Sequence, residues 1–197
     1  MMNWKTYLIA LFVCSSAIAQ DSIVKADGAR AAIVGESVKF DFRHKQLMYA
    51  NKGETDIQKI ALKDLNSVSY QGKRFQMLKV GNKLKGFYVL AQHDGITLAA
   101  LSKEIKTNSG GFNQRYIYHE IIVLDGTKTI ERTSFTENND DKNIKKRIKA
   151  KQLIMLYFGD CIEVTERLDY FANNKNSALL EGDVAAYIKQ APYSLCP

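Results

Sequence analysis

Three histidines are the side chains of this sequence best suited to acid–base or metal chemistry. His44, His93 and His119 are widely separated, so no two of them match the spacing of metal ligands on one turn of a helix. His93 precedes Asp94 in a predicted turn, where a solvated histidine is expected. His119 and Glu120 are adjacent in a predicted strand, so their side chains point to opposite faces of the sheet. The sequence therefore assigns no catalytic residue, no metal ligand and no cofactor.

Nucleophilic and glycosidase-type sites have no recognisable sequence pattern either. The chain lacks the G-x-S-x-G sequence that presents a serine on a strand–helix turn in many hydrolases. Asp140 and Asp141 form a prominent acidic pair, but their place at the start of a predicted helix is explained by capping. Gly110-Gly111 is not followed by a predicted helix and does not fit the G-x-G-x-x-G phosphate-binding pattern. A hydrolase would need His, Asp and Glu side chains that converge only in the folded chain.

The first 19 residues have the three parts of a secretory signal peptide in the expected order. Lys5 gives a positive start, residues 7–14 (YLIALFVC) are apolar, and Ala17-Ile18-Ala19 is a small-x-small cleavage site. Residues 1–19 are therefore predicted to be removed. The apolar run is shorter than the roughly 20 residues that span a bilayer, and the mature chain contains no predicted transmembrane segment. We expect an exported protein, periplasmic or extracellular.

Removal of the signal peptide decides the chemistry of the three cysteines. Cys14 is discarded with it; an outer-membrane lipoprotein is less favoured, because Val13 precedes Cys14 where a small residue is expected. Cys161 and Cys196 remain, and an isolated pair in an oxidising compartment is most simply a disulfide. The bond would close a loop of 36 residues, for which the chain-entropy model gives about 3–4 kcal/mol. The alternative is that both cysteines are buried free thiols. A zinc site is not expected, because neither cysteine has another Cys or His nearby at the usual ligand spacing.

Positive charge is concentrated in one predicted helix. The mature chain has 27 basic and 21 acidic residues, a net charge of +6. The segment KNIKKRIKAK could bind an envelope protein, a glycan or an anionic lipid surface, or it could be the solvated face of an ordinary helix. Nucleic acid is not an expected partner outside the cytoplasm. The candidate anionic-partner surface consists of Lys142, Lys145, Lys146, Arg147, Lys149 and Lys151.

The hydrophobic pattern from about residue 33 to 135 predicts antiparallel strands. Gly81-Asn82, Asp94-Gly95 and Asp125-Gly126 each separate two apolar runs and predict tight hairpins. Neighbouring hairpins form a meander, here of about seven or eight strands. The polar, glycine-rich segment 106–114 is predicted to be a loop between two of them.

Helical periodicity replaces the strand pattern after Phe135. A first helix is predicted over 141–158, with Asn139 or Asp140 as its N-cap. A second helix begins after Gly159 and ends at about Phe171, and a third covers about 181–190. The residues of the first helix expected to fall on one line are Ile144, Ile148, Lys151 and Met155. The second helix is expected to bury Cys161, Val164, Leu168 and Phe171, and the third to present Val184, Tyr187 and Ile188.

The predicted fold is α+β: an antiparallel β-meander, curved into a roll or half-barrel, followed by a C-terminal cluster of short helices. Its parts are a signal peptide at 1–19, a β-rich body at 20–136 and a helical cap at 137–197, packed together as a single domain. The helices are expected to cover an open face or edge of the sheet, because either would be a liability if exposed.

Two segments resemble a group of exported β-rich proteins of Bacteroidota that have a C-terminal YF-x-D-C helical tail. The matching residues are Tyr157, Phe158, Asp160 and Cys161, and the hairpin KGFYVLAQHDGITLAAL at 85–101 is similar to the body of that group. The group often has a proline after the cysteine, where this chain has Ile162. The resemblance implies an architecture and a compartment, and it supplies no catalytic residue.

These observations favour an exported cell-envelope protein that binds a ligand, a glycan, a lipid or another protein without catalysis. A secreted hydrolase is the alternative, and a cleft with convergent acid–base side chains would favour it. A third possibility is an immunity-type protein that neutralises a secreted toxin.

Overall fold

A computed structural model describes residues 20–109, 112–138, 140–172, 184–190 and 192–196. The predicted signal peptide, Cys14 and Asn139 lie outside these ranges. The described residues form eleven strands and three α-helices. The strands are β1 (Ser22–Lys25), β2 (Arg30–Asp41), β3 (Gln46–Asn51), β4 (Ile57–Ala61), β5 (Leu65–Tyr70), β6 (Lys73–Val80), β7 (Lys83–His93), β8 (Ile96–Ser109), β9 (Phe112–Asp125), β10 (Lys128–Thr136) and β11 (Ser194–Leu195). The helices are α1 (Asp141–Phe158), α2 (Ile162–Ala172) and α3 (Val184–Gln190).

One open sheet contains all the strands, in the order β10-β9-β8-β7-β6-β5-β1-β2-β3-β4, with β11 beside β7. All neighbours are antiparallel except β11, which pairs in parallel with β7. Two meanders, β1–β4 and β5–β10, are therefore joined by the pairing of β1 with β5. The structure confirms the α+β fold with an antiparallel meander followed by helices, although it has more strands than the sequence predicts.

The pairing of β2 with β3 is interrupted by a register shift within β2. Val34 pairs with Ala50 and Lys39 with Met48, so five steps along β2 correspond to two along β3. The extra residues form a bulge, and bulges increase the local twist and bend a strand. Strands β1 to β6 all contribute to one apolar cluster. Its fully or nearly fully buried members are Ile23, Ile33, Leu47, Tyr49, Ile60, Leu65, Val68 and Phe75.

The three helices cover the face of β7–β10 on which the largest apolar cluster lies. Leu98, Ala100, Ile121 and Val123 on the strands are buried together with residues of all three helices. The helical members include Ala150, Leu153, Ile154 and Phe158 of α1, Val164 and Leu168 of α2, and Val184, Tyr187 and Ile188 of α3. Burial of an apolar sheet face is the main stabilisation that such a layer provides.

The sequence prediction for the buried side of α1 is wrong. Ala150, Leu153 and Ile154 are buried, whereas Ile144 is only half-buried and Met155 is 41 % exposed. The helix carries apolar residues on more than one side, and its packing against β10 and the other helices selects the side that is buried. The predicted face of α2 agrees for Cys161, Val164 and Leu168; the side chain of Phe171 is outside the described residues.

The predicted loop at 106–114 is also wrong. Strands β8 and β9 stay paired from Lys106↔Arg115 to Ser109↔Phe112, on either side of Gly110-Gly111. Backbone hydrogen bonds form a strand pair whether or not its side chains are apolar, so the polar composition misled the prediction. The sequence analysis also missed β1, a four-residue strand too short to display a periodicity.

A disulfide joins the helical layer to the sheet. The Sγ atoms of Cys161 and Cys196 are 1.98 Å apart and the Cα atoms 5.5 Å apart, and both side chains are buried. Cys161 immediately precedes α2. Cys196 follows β11, and its backbone N–H donates to the Gln92 carbonyl of β7 at 2.8 Å.

We expect loss of this disulfide to lower the free energy of unfolding by about 3–4 kcal/mol, because the 35-residue separation restricts the unfolded chain. The measurement is urea denaturation of residues 20–197 as wild type and as Cys161→Ala/Cys196→Ala, each with and without reductant. Reductant should destabilise the wild type and leave the double variant unchanged. Alkylation of both thiols in the unreduced, unfolded protein would contradict the bond.

Candidate functional site

A row of polar side chains crosses three neighbouring strands beneath α3. Ser102 of β8 is opposite His119 of β9, and His119 is opposite Phe135 of β10. Glu137 follows the end of β10, and its backbone N–H donates to the Ile117 carbonyl at 3.2 Å. The strand pairing therefore brings together three functional groups that are distant in sequence.

Hydrogen bonds connect these side chains in series. Ser102 Oγ lies 2.8 Å from His119 Nδ1, and His119 Nε2 lies 2.9 Å from Glu137 Oε1. Lys189 of α3 forms an ion pair with the same carboxylate oxygen. His119 is fully buried, and its ring lies 5.0 Å from that of Phe135. We call Ser102, His119, Glu137 and Lys189 the polar relay.

The polar relay determines which imidazole nitrogen carries the proton. An ionised carboxylate only accepts hydrogen bonds, so Nε2 of His119 must donate to Glu137. In the neutral imidazole, Nδ1 is then the acceptor, and Ser102 donates its hydroxyl proton to it. Burial acts to raise the pKa of Glu137, but the hydrogen bonds from Lys189 and His119 outweigh it and hold that pKa below its usual value.

Strands β7 and β8 separate next to Ser102. They pair from His93↔Ile96 to Tyr88↔Ala100 and no further. Beyond this point β7 continues beside β6, and among the described strands only β9 pairs with the rest of β8. In an antiparallel pair, about half of the backbone N–H groups of a strand point away from its partner. The edge of β8 that begins near Ser102 therefore offers backbone donors that no described strand uses.

Two clefts adjoin this divergence, and Ser102 and Lys189 line both. The first has a volume of about 160 Å³ and is also lined by Lys73, Arg74 and Tyr88. The second has a volume of about 400 Å³ and extends along the β8–β9 pair; its other lining residues include Lys103, Glu104, Arg115, Tyr116 and Ile117. Ser102 is half-buried and lines both clefts, whereas its partner His119 is fully buried.

Basic side chains outnumber acidic ones among the described residues that line the clefts. Glu104 is the single acidic residue among the described lining residues, and its Oε1 lies 3.6 Å from Arg115 Nε. The guanidinium of Arg74 lies 5.4 Å from the centre of the Tyr193 ring, and its buried Nε has no hydrogen-bond partner among the described residues. The five basic lining residues are Lys73, Arg74, Lys103, Arg115 and Lys189.

A neutral phenol completes the first cleft. The Tyr88 hydroxyl lies 2.9 Å from that of Tyr70. Burial raises the pKa of Tyr88 far above its usual value, with a further contribution from Tyr70. The hydroxyl therefore remains protonated and can donate a hydrogen bond.

The predicted anionic-partner surface lies on α1, and its six residues differ in exposure. Lys142, Lys145 and Lys149 are exposed at helical spacing, whereas Lys146, Arg147 and Lys151 are half-buried. Arg147 Nη2 donates to the Asn138 carbonyl at 3.2 Å. None of the six is among the described residues that line the two clefts.

Candidate metal ligands converge once in the described part of the chain. The ligand atoms of Cys161, Cys196 and Glu163 lie within 4.8 Å of one another. Two of these atoms are the sulfurs of the disulfide. Cysteine binds a metal as a thiolate, so these two sulfurs cannot be ligands while the disulfide is intact. His44 pairs with Asp41 at 2.7 Å, outside this cluster.

Sequence reasoning missed Ser102 and Glu137. The usable signal is the register of the strand pair. In β8 and β9, which flank Gly110-Gly111 in the sequence, the numbers of paired residues add up to 221, and those of Ser102 and His119 do so. Because the sequence analysis placed residues 106–114 in a loop, the register of β8 and β9 could not be predicted. A bulge between Thr129 and Glu131 shifts the next pairing, so the position of Glu137 has no comparable signal.

No known family model matches this chain, and no curated protein or solved structure is significantly similar to it. No helix in the described ranges is both long and apolar enough to cross a membrane. The assignment of a site therefore depends on the geometry of these residues.

We expect Glu137→Gln to reduce the dependence of stability on acid pH. The folded-state pKa of Glu137 is lowered from 4.5, so its stabilisation is present above that pH and is lost as the pH falls through the lower, folded-state value. The difference in free energy of unfolding between wild type and variant should be largest at neutral pH and shrink below about pH 4.5. Urea denaturation from pH 3 to 7 measures it. The matched control is exposed Glu166 on α2, whose replacement by Gln should leave the wild-type pH profile intact.

The exposed lysines of α1 provide a test of the predicted anionic-partner surface. If it binds anionic lipid, replacing Lys142, Lys145 and Lys149 with Gln should reduce cosedimentation with phosphatidylglycerol vesicles at least tenfold, because each lysine near such a surface contributes about 1 kcal/mol. Replacing exposed Lys52, Lys59 and Lys63 with Gln matches the change in net charge. An equal loss of vesicle binding in both triple variants would show that binding depends on the net charge of the protein and not on α1.

Proposed function

We propose that this chain is an exported cell-envelope protein that binds a small ligand carrying an anionic group. The signal-peptide pattern and the paired cysteines support the compartment, since disulfides persist in oxidising environments. The ligand site is the pair of clefts beside Ser102 and Lys189. The observation that carries the proposal is the excess of basic over acidic side chains around these clefts.

The charges of the lining are only partly neutralised within the protein. Lys189 is engaged by Glu137 and Arg115 by Glu104. Lys73 and Arg74 form no ion pair with a described residue, and the Nε of Arg74 is buried without a hydrogen-bond partner. A buried donor left unpaired costs about 1–3 kcal/mol. An anion that accepts from Arg74 would remove this cost.

The size and the apolar part of the clefts favour a small organic anion over an inorganic one. The volume of the second cleft, about 400 Å³, is in the range of sites for small molecules, and the first cleft, about 160 Å³, is smaller than that range. Leu90 and Ile188 line the first cleft, and Ile117 lines the second. These side chains can contact a short hydrocarbon portion while the cations hold a carboxylate, phosphate or sulfate.

We expect organic anions to stabilise the protein against heat and Arg74→Gln to abolish most of this effect. A charge-assisted hydrogen bond contributes about 1.5–3 kcal/mol, so the variant should bind at least tenfold more weakly. The measurement is the shift in melting temperature of residues 20–197 at low salt with butyrate, benzoate, phenyl phosphate and neutral butanol.

Lys79→Gln is the matched control, because Lys79 is exposed on the same strand, β6. It should retain the wild-type response to each compound. A wild-type protein that no anion stabilises, or a control variant as impaired as Arg74→Gln, would overturn the proposed function.

A further inference from the structure

We propose that Ser102 is a nucleophile for acyl transfer, so that the protein hydrolyses small carboxylic esters that carry an anionic group. His119 is the general base and Glu137 orients it. The inference rests on the proposed function, because the same basic clefts would hold the anionic part of the ester.

The first argument is the geometry of Ser102 and His119. A weak nucleophile such as a serine hydroxyl requires a base within about 2.6–3.2 Å, and the Oγ–Nδ1 distance is 2.8 Å. His119 is fully buried, so bulk water competes little for its hydrogen bond with Ser102. Its bond to Glu137 at 2.9 Å directs the unprotonated nitrogen towards Ser102. The roles of base and orienting acid match those in serine hydrolases, with the two ring nitrogens exchanged: here Nδ1 faces the serine and Nε2 faces the acid.

The second argument is the place of Ser102 at the divergence of β7 and β8. Ser102 lines both clefts, so an ester bound in either cleft would lie beside this residue. Beyond Ala100, β8 has no described partner on the β7 side. Its outward backbone N–H groups are donors of the kind that stabilise the oxyanion of a tetrahedral intermediate, and the basic lining residues add positive charge.

A purely structural role is the competing explanation for the same hydrogen bonds. Buried polar groups are generally hydrogen-bonded, and Ser102 and Glu137 would serve to satisfy His119. That role does not require Ser102 to line a cleft, and it predicts a serine no more reactive than any other. Reactivity of Ser102 separates the two explanations.

The proposed reaction is complete with water as the second substrate. Ser102 Oγ forms a bond to the ester carbonyl carbon while its proton passes to His119 Nδ1. The carbon–oxygen bond to the alcohol then breaks, and His119 returns the proton to the departing oxygen. Water then attacks the carbonyl carbon of the acyl-serine while His119 Nδ1 accepts one of its protons. The bond between that carbon and Oγ breaks, His119 returns the proton to Oγ, and the carboxylic acid leaves.

The test uses oxidised residues 20–197 with two probes. A fluorophosphonate should add to Ser102 with loss of fluoride, as detected by intact mass and peptide mapping. Mono-p-nitrophenyl glutarate, which carries a carboxylate, should be hydrolysed at least tenfold faster than neutral p-nitrophenyl butyrate. Ser102→Ala should lower the rate at least 100-fold and abolish the adduct.

Matched variants distinguish catalysis from a change of fold. Ser134→Ala, on neighbouring β10, should retain the adduct and the rate. Glu137→Gln should lower kcat at least tenfold and shift the acid limb of the pH–rate profile. An adduct on another residue, or a rate that Ser102→Ala leaves unchanged, would overturn the inference. Absence of both reactions in a protein that anions still stabilise would overturn it and leave the proposed function intact; absence of anion binding as well would overturn both.

Discussion

Strands β8 and β9 are paired along their whole length, from Ile96↔Asp125 to Ser109↔Phe112. Side chains alternate between the faces of a sheet, so a shift of one residue in this pairing would exchange the two faces. The observed register buries Leu98, Ala100, Ile121 and Val123 beneath the helices. The same register places Ser102 opposite His119 on that face. The apolar core and the polar relay therefore depend on one set of backbone hydrogen bonds.

The helical layer gives the polar relay its environment. Tyr187 and Ile188 of α3 are buried in the main core, which holds the adjacent Lys189 over Glu137. The disulfide lies in the same layer, since it links the start of α2 to the strand that follows α3. An oxidising compartment therefore stabilises the wall of the clefts as well as the fold. This connection makes the predicted export relevant to the site itself.

Much of the architecture could be predicted from local signals. The turn at Asp94-Gly95 has positive φ angles of 45° and 82°, as a primed hairpin turn requires, and Asp140 caps α1 by accepting from the Asn143 backbone N–H. The path of the sheet could not be predicted, because the bulge in β2 and the pairing of β1 with β5 depend on contacts between distant residues. The same limit applies to the site. Ser102 and Glu137 acquire a role only through strand register, and neither belongs to a local motif.

The central position of β1 has a consequence for how the chain reaches its native state. Ser22 pairs with Ser69, 47 residues later, whereas the hairpins on either side involve near neighbours in sequence. Contacts between distant residues form slowly because a long loop must first be closed. Each meander can assemble from its own hairpins, and docking of β1 against β5 then unites them. The pairing of β1 with β5, which joins the two meanders, should therefore be the slow step of folding.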